Sequence, residues 1–92
     1  MREDRIIPFR RLDWLSARER VVLIHMMHGR SACDIAALDY VTVSTVRSQI
    51  RSILMKLGVS SQLAAVAHAY AACWPNDDER RQALVVALQV AS

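Results

Sequence analysis

Glycine and proline together supply only four of the 92 residues, two of each. A disordered or low-complexity chain is usually rich in both, so this composition excludes that class. Aromatic residues make up 5 % of the chain, and runs alternating apolar with polar side chains are scarce, which leaves a sheet-built core little to form from. No apolar run approaches the roughly eighteen residues of a membrane span. Nothing resembles a secretory signal. Cysteine occurs twice, at Cys33 and Cys73, both in apolar, helix-favouring surroundings. They read as reduced thiols of a soluble cytoplasmic protein, with no membrane partner. Acidic residues are missing altogether between Asp39 and Asp77.

What the chain does contain is apolar side chain, 53 % of all residues, patterned at helical rather than strand spacing. The fold class read from this is all-α. A chain of 92 residues forms one small domain with a modest core, so dimerisation is expected. The net charge of +3 is unevenly placed. It amounts to +1 over residues 1–14, zero over 15–41, +3 over 42–75 and −1 over 76–92. The positive field is therefore concentrated in the stretch without acids, a distribution that suits a nucleic-acid face.

That stretch opens with Thr42 to Val59, TVSTVRSQIRSILMKLGV. Val46, Ile50, Ile53, Leu54 and Leu57 fall on one stripe of a helix over about 43–57. Ser44, Arg47, Ser48, Arg51 and Met55 then point outward. Thr42 is placed to cap the helix and Gly58 to end it. Short hydroxyls between two arginines allow a backbone to approach a DNA groove closely while guanidinium forks reach guanine edges or phosphates. The same pattern also describes an ordinary solvated helix face.

The neighbouring segments give that helix a context. Residues 1–14 read as an irregular arm, with Arg2, Arg5, Arg10 and Arg11 as candidates for a minor groove. Ser16 and Glu19 form a capping box that opens a helix running to His28 and stopped by Gly29. Ser31, with Asp34 three residues on, opens a short helix over about 32–38 whose Ile35, Ala36 and Leu38 are expected to face inward. Asp39, Tyr40 and Val41 then turn the chain into Thr42. A short helix, a tight turn and a longer basic helix make a helix-turn-helix. A fourth helix is expected over 61–73 and ends at Pro75. Asn76 and Glu79 cap a fifth, over 76–91, which is apolar nearly all round after Arg81 and must be buried in the domain or against a second copy. Trp14 and Trp74 flank the four-helix unit and are read as seals at its ends.

Residues 15–67 resemble the LuxR-type DNA-binding domain, a helix-turn-helix family of bacterial transcription regulators. The resemblance rests on LSARERVVL at 15–23, Gly29, Ser31, Ile35, Ala36, TVR at 45–47, Ile53, KLGV at 56–59 and AAVA at 64–67, in register without a gap. It implies a four-helix domain over 15–73, with the arm before it and an additional C-terminal helix after it. It also implies that residues 43–57 are the recognition helix, with Arg47, Ser48 and Arg51 reading base edges. Thr42, Ser44, Thr45 and Lys56 would take phosphate contacts. The family's fourth helix often pairs subunits, which here points to Leu63, Val66, Ala67 and Tyr70, joined by Leu84 and Leu88 of the extra helix. The sequence departs from the family at Gln49, where histidine is common, at Ala32 and Cys33, where asparagine and lysine are frequent, and at Asp39, where a buried leucine is usual. Asp39 implies either a repacked turn or a carboxylate turned to solvent.

His25, His28, Cys33 and His68 lack the paired spacing of a metal site. Cys33 lacks the glycine-rich segment and orienting carboxylate of a thiol nucleophile. No enzyme activity, cofactor or metal is expected. Fourteen residues before the motif leave no room for a receiver or ligand-sensing domain, so no small-molecule ligand is expected either. The leading function is a small regulator that binds double-stranded DNA as a homodimer. The rival is a helix-turn-helix module that binds a regulator protein or an RNA polymerase subunit. A sigma-factor promoter-reading region shares the opening signature, but KLGV followed by an alanine-rich helix fits the LuxR type better.

Overall fold

A computed structural model of the chain describes residues 11–91. The arm is therefore described only from Arg11, and the minor-groove candidates Arg2, Arg5 and Arg10 lie outside the described residues. A 3₁₀ turn, Arg11–Trp14, leads into five helices: α1 (Ala17–Met27), α2 (Ala32–Asp39), α3 (Val43–Leu57), α4 (Gln62–Ala71) and α5 (Asp77–Ala91). All regular structure among the described residues is helical. None of these helices is long and apolar enough to cross a membrane.

Each helix starts where a short polar side chain can replace a missing backbone partner. The Ser16 hydroxyl accepts from the Glu19 amide at 3.1 Å while the Glu19 carboxylate accepts from the Ser16 amide at 2.7 Å. Ser31 and Asp34 repeat this reciprocal pair at the head of α2, both at 3.1 Å. Thr42 and Ser61 cap α3 and α4 through the amides of Thr45 and Ala64. Asn76 and Glu79 make another reciprocal pair before α5, at 2.7 and 2.8 Å. Gly58 ends α3 in the left-handed conformation, φ 71°. A side chain there would also collide with the Arg11 guanidinium, which stands 5.5 Å above the Trp14 ring. Helix α4 is shorter at both ends than the expected 61–73, because Ser61 is its cap and Cys73 turns to positive φ.

Helix α1 is the hub, packing against α3, α4 and α5, while α2 packs on α3. Leu12, Leu15, Val22, Leu23, Met26, Ile35, Val46, Ile50, Ile53 and Leu57 form the core with Ala65, Ala69 and Trp74. The alanines let α4 lie close.

Two expectations need correction. Leu38 does not face inward; it is 52 % exposed, and Asp39 takes the inward position instead at 5 %. The turn is thus repacked rather than turned to solvent, because the carboxylate finds two partners on α1: Arg18 Nη2 and His25 Nε2, each 3.1 Å away. Trp74 is buried, but Trp14 is half exposed and does not seal the domain. On helix α5, which packs on α1 and α2, Ala83 is buried and Val86 and Ala87 are half-buried, while Leu84, Val85 and Leu88 are exposed among the described side chains.

Candidate nucleic-acid interface

Helix α3 buries Val46, Ile50, Ile53 and Leu57, which fixes its rotation about its own axis. At about 100° per residue, Ser44, Ser48, Arg51 and Met55 then lie diametrically outward, with Arg47 on the flank of the same face. All five are exposed. Arg47 and Arg51 are one turn apart, and neither has a hydrogen bond or ion pair among the described residues. Nothing among the described residues uses their charge. Ser44 and Ser48 carry only a hydroxyl each, so the helix backbone can come near a flat partner between the two guanidiniums.

At the amino end of α3, the Thr42 hydroxyl both caps the Thr45 amide at 3.1 Å and donates to the Thr45 hydroxyl at 2.9 Å. The pair is exposed and sits where the helix dipole is positive, a place suited to a phosphate oxygen.

Lys56 stands apart from this set. Its ammonium is 2.7 Å from Glu19 Oε1 on α1, and the Ser52 hydroxyl donates to Oε2 of the same carboxylate at 2.5 Å. The lysine therefore clamps α3 to the hub, and only two of the three charges on α3 are unpaired. Burial alone would raise the Glu19 pKa, but the hydrogen bonds from Lys56, Ser52 and Ser16 and the lysine charge outweigh it and hold the carboxyl below its ordinary range. The clamp links residues 37 apart in the chain, so no local spacing announced it. The same is true of the Asp39 clamp to Arg18 and His25. The clue at position 39 was a polar residue where an apolar one was due; its partners were illegible.

Helix α2 presents an exposed amino end in which Cys33 has no disulfide partner and Asp34 is held below its ordinary pKa by hydrogen bonds from the Ser31 backbone and side chain. An anionic group here differs from the cationic face of α3. Tyr40, in the left-handed conformation at φ 59°, makes the turn between the two helices and is exposed.

The residues expected to pair subunits lie in three settings. Leu63, Ala67 and Tyr70 are exposed on α4, although the Tyr70 hydroxyl donates to the Met27 carbonyl at 3.1 Å. Val66 is half-buried against the core. Leu84 and Leu88 are exposed on α5. Among the described residues no group of three or more histidine, cysteine or acidic side chains could hold a metal ion.

Comparison with known proteins fits this geometry. The GerE profile, described as bacterial regulatory proteins of the luxR family, matches residues 13–69, which takes in α1 to α3 and most of α4. The chain is 51 % identical over 55 residues to the probable transcriptional regulatory protein NarL of Mycobacterium tuberculosis, in the CDC 1551 / Oshkosh and H37Rv strains alike. That match covers 60 % of this chain and 26 % of NarL. It is 39 % identical over 51 residues to the transcriptional activator protein EsaR of Pantoea stewartii subsp. stewartii, covering 55 % of this chain and 20 % of EsaR. The chain thus matches only about a quarter or less of the length of these relatives. No solved structure gives a significant match. With the profile spanning more than half of its residues and the helix-turn-helix in register with it, the chain belongs to the luxR family of bacterial regulatory proteins.

Proposed function

We propose that the chain binds double-stranded DNA in a sequence-specific way as a homodimer, placing α3 of each copy in successive major grooves. The observation that carries this reading is the outward face of α3, where Arg47 and Arg51 are exposed and unpaired around Ser44 and Ser48. Arg47, Ser48 and Arg51 read base edges, because a guanidinium fork matches the two acceptors of guanine and a serine hydroxyl can serve as donor or acceptor. Thr42, Ser44 and Thr45 take backbone phosphates, which fix register without reading sequence. Lys56 contributes field rather than a free contact while Glu19 holds it. Two free charges per helix are few for a monomer, since each neutralised phosphate adds only a limited counterion-release gain. Two copies on half-sites about ten base pairs apart supply the rest. The exposed side chains Leu63 and Tyr70 on α4, with Leu84 and Leu88 on α5, are the candidates for the pairing surface.

Selection of bound sequences from random duplex DNA tests this directly. The expected outcome is a two-fold symmetric motif, with Arg47→Ala or Arg51→Ala costing about 1–3 kcal/mol of specific binding. Recovery of no enriched motif at low salt would refute it. The exposed apolar residues of α5 favour one rival, a module that docks on a regulator protein or a polymerase subunit. Stoichiometric capture of such a protein by a chain lacking both arginines would favour that rival.

A further inference from the structure

Helices α1 and α5 enclose a groove of about 550 Å³, within the roughly 300–1,000 Å³ usual for small-ligand sites. Val21, Ile24, Ala83, Leu84 and Ala87 give it an aliphatic lining. Three arginines, Arg30, Arg80 and Arg81, also border it, together with one acidic residue, Asp77. Arg81 is spent on Asp78 at 3.0 Å. Arg80 donates to the Pro75 carbonyl at 3.4 Å and Arg30 to the His25 ring at 3.1 Å, and the Arg30 charge also acts on Asp34; neither arginine is in an ion pair among the described residues. An aliphatic trough bordered by Arg80 and Arg30, neither of them held in an ion pair among the described residues, fits a molecule that is apolar along its length and negative at one end. Helix α5 lies beyond the residues 13–69 that match the family, so half of this groove belongs to the part of the chain that the family pattern does not cover.

We propose that the α1–α5 groove binds a small amphiphilic anion, a medium-chain acyl or an aryl carboxylate, with its chain on the aliphatic lining and its charge on Arg30 and Arg80. Such a ligand would act next to a hydrogen-bond chain that leads toward α3. Arg30 Nη1 donates to His25 Nδ1, which assigns the remaining ring proton to Nε2, and Nε2 donates to Asp39 Oδ1. Asp39 is the last residue of α2 and stands three positions before the Thr42 cap. An anion that draws on Arg30 therefore perturbs the group that anchors the turn into α3.

The test uses the full chain without DNA, so it does not depend on the DNA-binding reading. Amide spectra are followed by nuclear magnetic resonance as octanoate, octan-1-ol and octylammonium are titrated below their aggregation limits. Octanoate should bind saturably, shifting Ile24, Ala83 and Ala87 together with Tyr40 and Val41 in the turn. Octan-1-ol should bind about tenfold more weakly, the loss expected when a charge-assisted hydrogen bond is removed, and octylammonium should not saturate. Arg80→Gln and Arg30→Gln should each weaken octanoate severalfold, and Ala87→Phe should block it by filling the lining. If Arg30→Gln fails to fold, Arg80→Gln and Ala87→Phe carry the same test. Equal binding of octan-1-ol, or indifference to all three substitutions, overturns the proposal. So does burial of the groove by a second copy, seen as concentration-dependent shifts at the same amides without ligand. Binding to anionic phosphatidylglycerol vesicles with none to free octanoate overturns it too, by making the face a membrane contact.

Discussion

Helices α3 and α5 are each fifteen residues long, yet the fold uses them in opposite ways. Helix α3 buries four apolar side chains and shows polar and cationic groups outside; among the described side chains of α5 only Ala83 is fully buried, and Leu84, Val85 and Leu88 are exposed. The difference lies in how the apolar residues are distributed. On α3 they recur at 46, 50, 53 and 57, a single stripe that one neighbouring surface can cover. On α5 they run nearly continuously from Ala83 to Ala91, and packing on α1 and α2 leaves Leu84, Val85 and Leu88 exposed. The outer face of the first helix is polar and cationic and that of the second is apolar, so the two faces differ in the chemistry of partner they suit.

Matched truncations on the two helices give the largest effect. Ile53→Ala removes a side chain with no solvent exposure and should lower the unfolding free energy by about 2–5 kcal/mol. Val85→Ala, at a half-exposed site, should change it by less than about 1 kcal/mol. Urea unfolding of the two variants measures both. Equal losses would mean that α5 is held as firmly as α3, and the comparison would fail.

The cationic groups of α3 separate in the same way at smaller amplitude. Arg51→Ala should leave stability near wild type and weaken specific DNA binding by about 1–3 kcal/mol. Lys56→Ala should do the reverse, lowering stability by about 1 kcal/mol, because Glu19 loses its charged partner at a half-exposed position where solvent screens part of the attraction. It should flatten the salt dependence of DNA affinity less than Arg51→Ala does. Thermal unfolding and anisotropy over a salt series distinguish the two roles. A Lys56 variant with full stability and a reduced salt slope would put the lysine on phosphate after all.

Self-association tests the other helix. Leu63→Glu on α4 and Leu88→Glu on α5 each place a charge on an exposed apolar position, and each should weaken a dimer by at least about tenfold if that position lies inside the interface. Sedimentation equilibrium on the pair identifies which helix makes the contact. A chain that stays monomeric at every concentration would remove the pairing surface from both.

Most of the fold was legible because its determinants are local. The Ser16 and Asn76 boxes, the Ser31 and Thr42 caps and Gly58 each act within three or four residues, and all appear where the sequence put them. The stripe on α3 was legible for the same reason. What escaped depended on distant partners. Leu38 and Asp39 exchanged their expected places because Arg18 and His25 wait on α1, and Lys56 turned inward because Glu19 is buried beside it. For α5 the sequence left two surfaces open, this domain or a second copy, because an apolar run states a need for burial without saying which surface meets it. Arg47 and Arg51 stand exposed, as their place on the outer face of α3 predicts, and no described residue competes for their charge.

The two clamps predict the smallest effect, and it is one of pH. Glu19 is buried, which by itself raises a carboxyl pKa, but Lys56, Ser52 and the Ser16 amide bring it below the ordinary glutamate range. A carboxyl whose folded pKa lies below its unfolded one adds stability that is fully present above the unfolded value. That stability is lost as pH falls through the folded value. The wild-type unfolding free energy should therefore decline on acidification below the ordinary glutamate range, while Glu19→Gln, which keeps an acceptor for the Ser16 amide, should decline less steeply. The gap between them should close as Glu19 protonates. Because α5 carries no part of this clamp, Leu88→Glu should leave that gap unchanged at neutral pH and below. A pH slope in Glu19→Gln as steep as in wild type would place the acid sensitivity outside the α1–α3 contact, and the distinction between a helix fixed from within and one waiting for a partner would lose its electrostatic half.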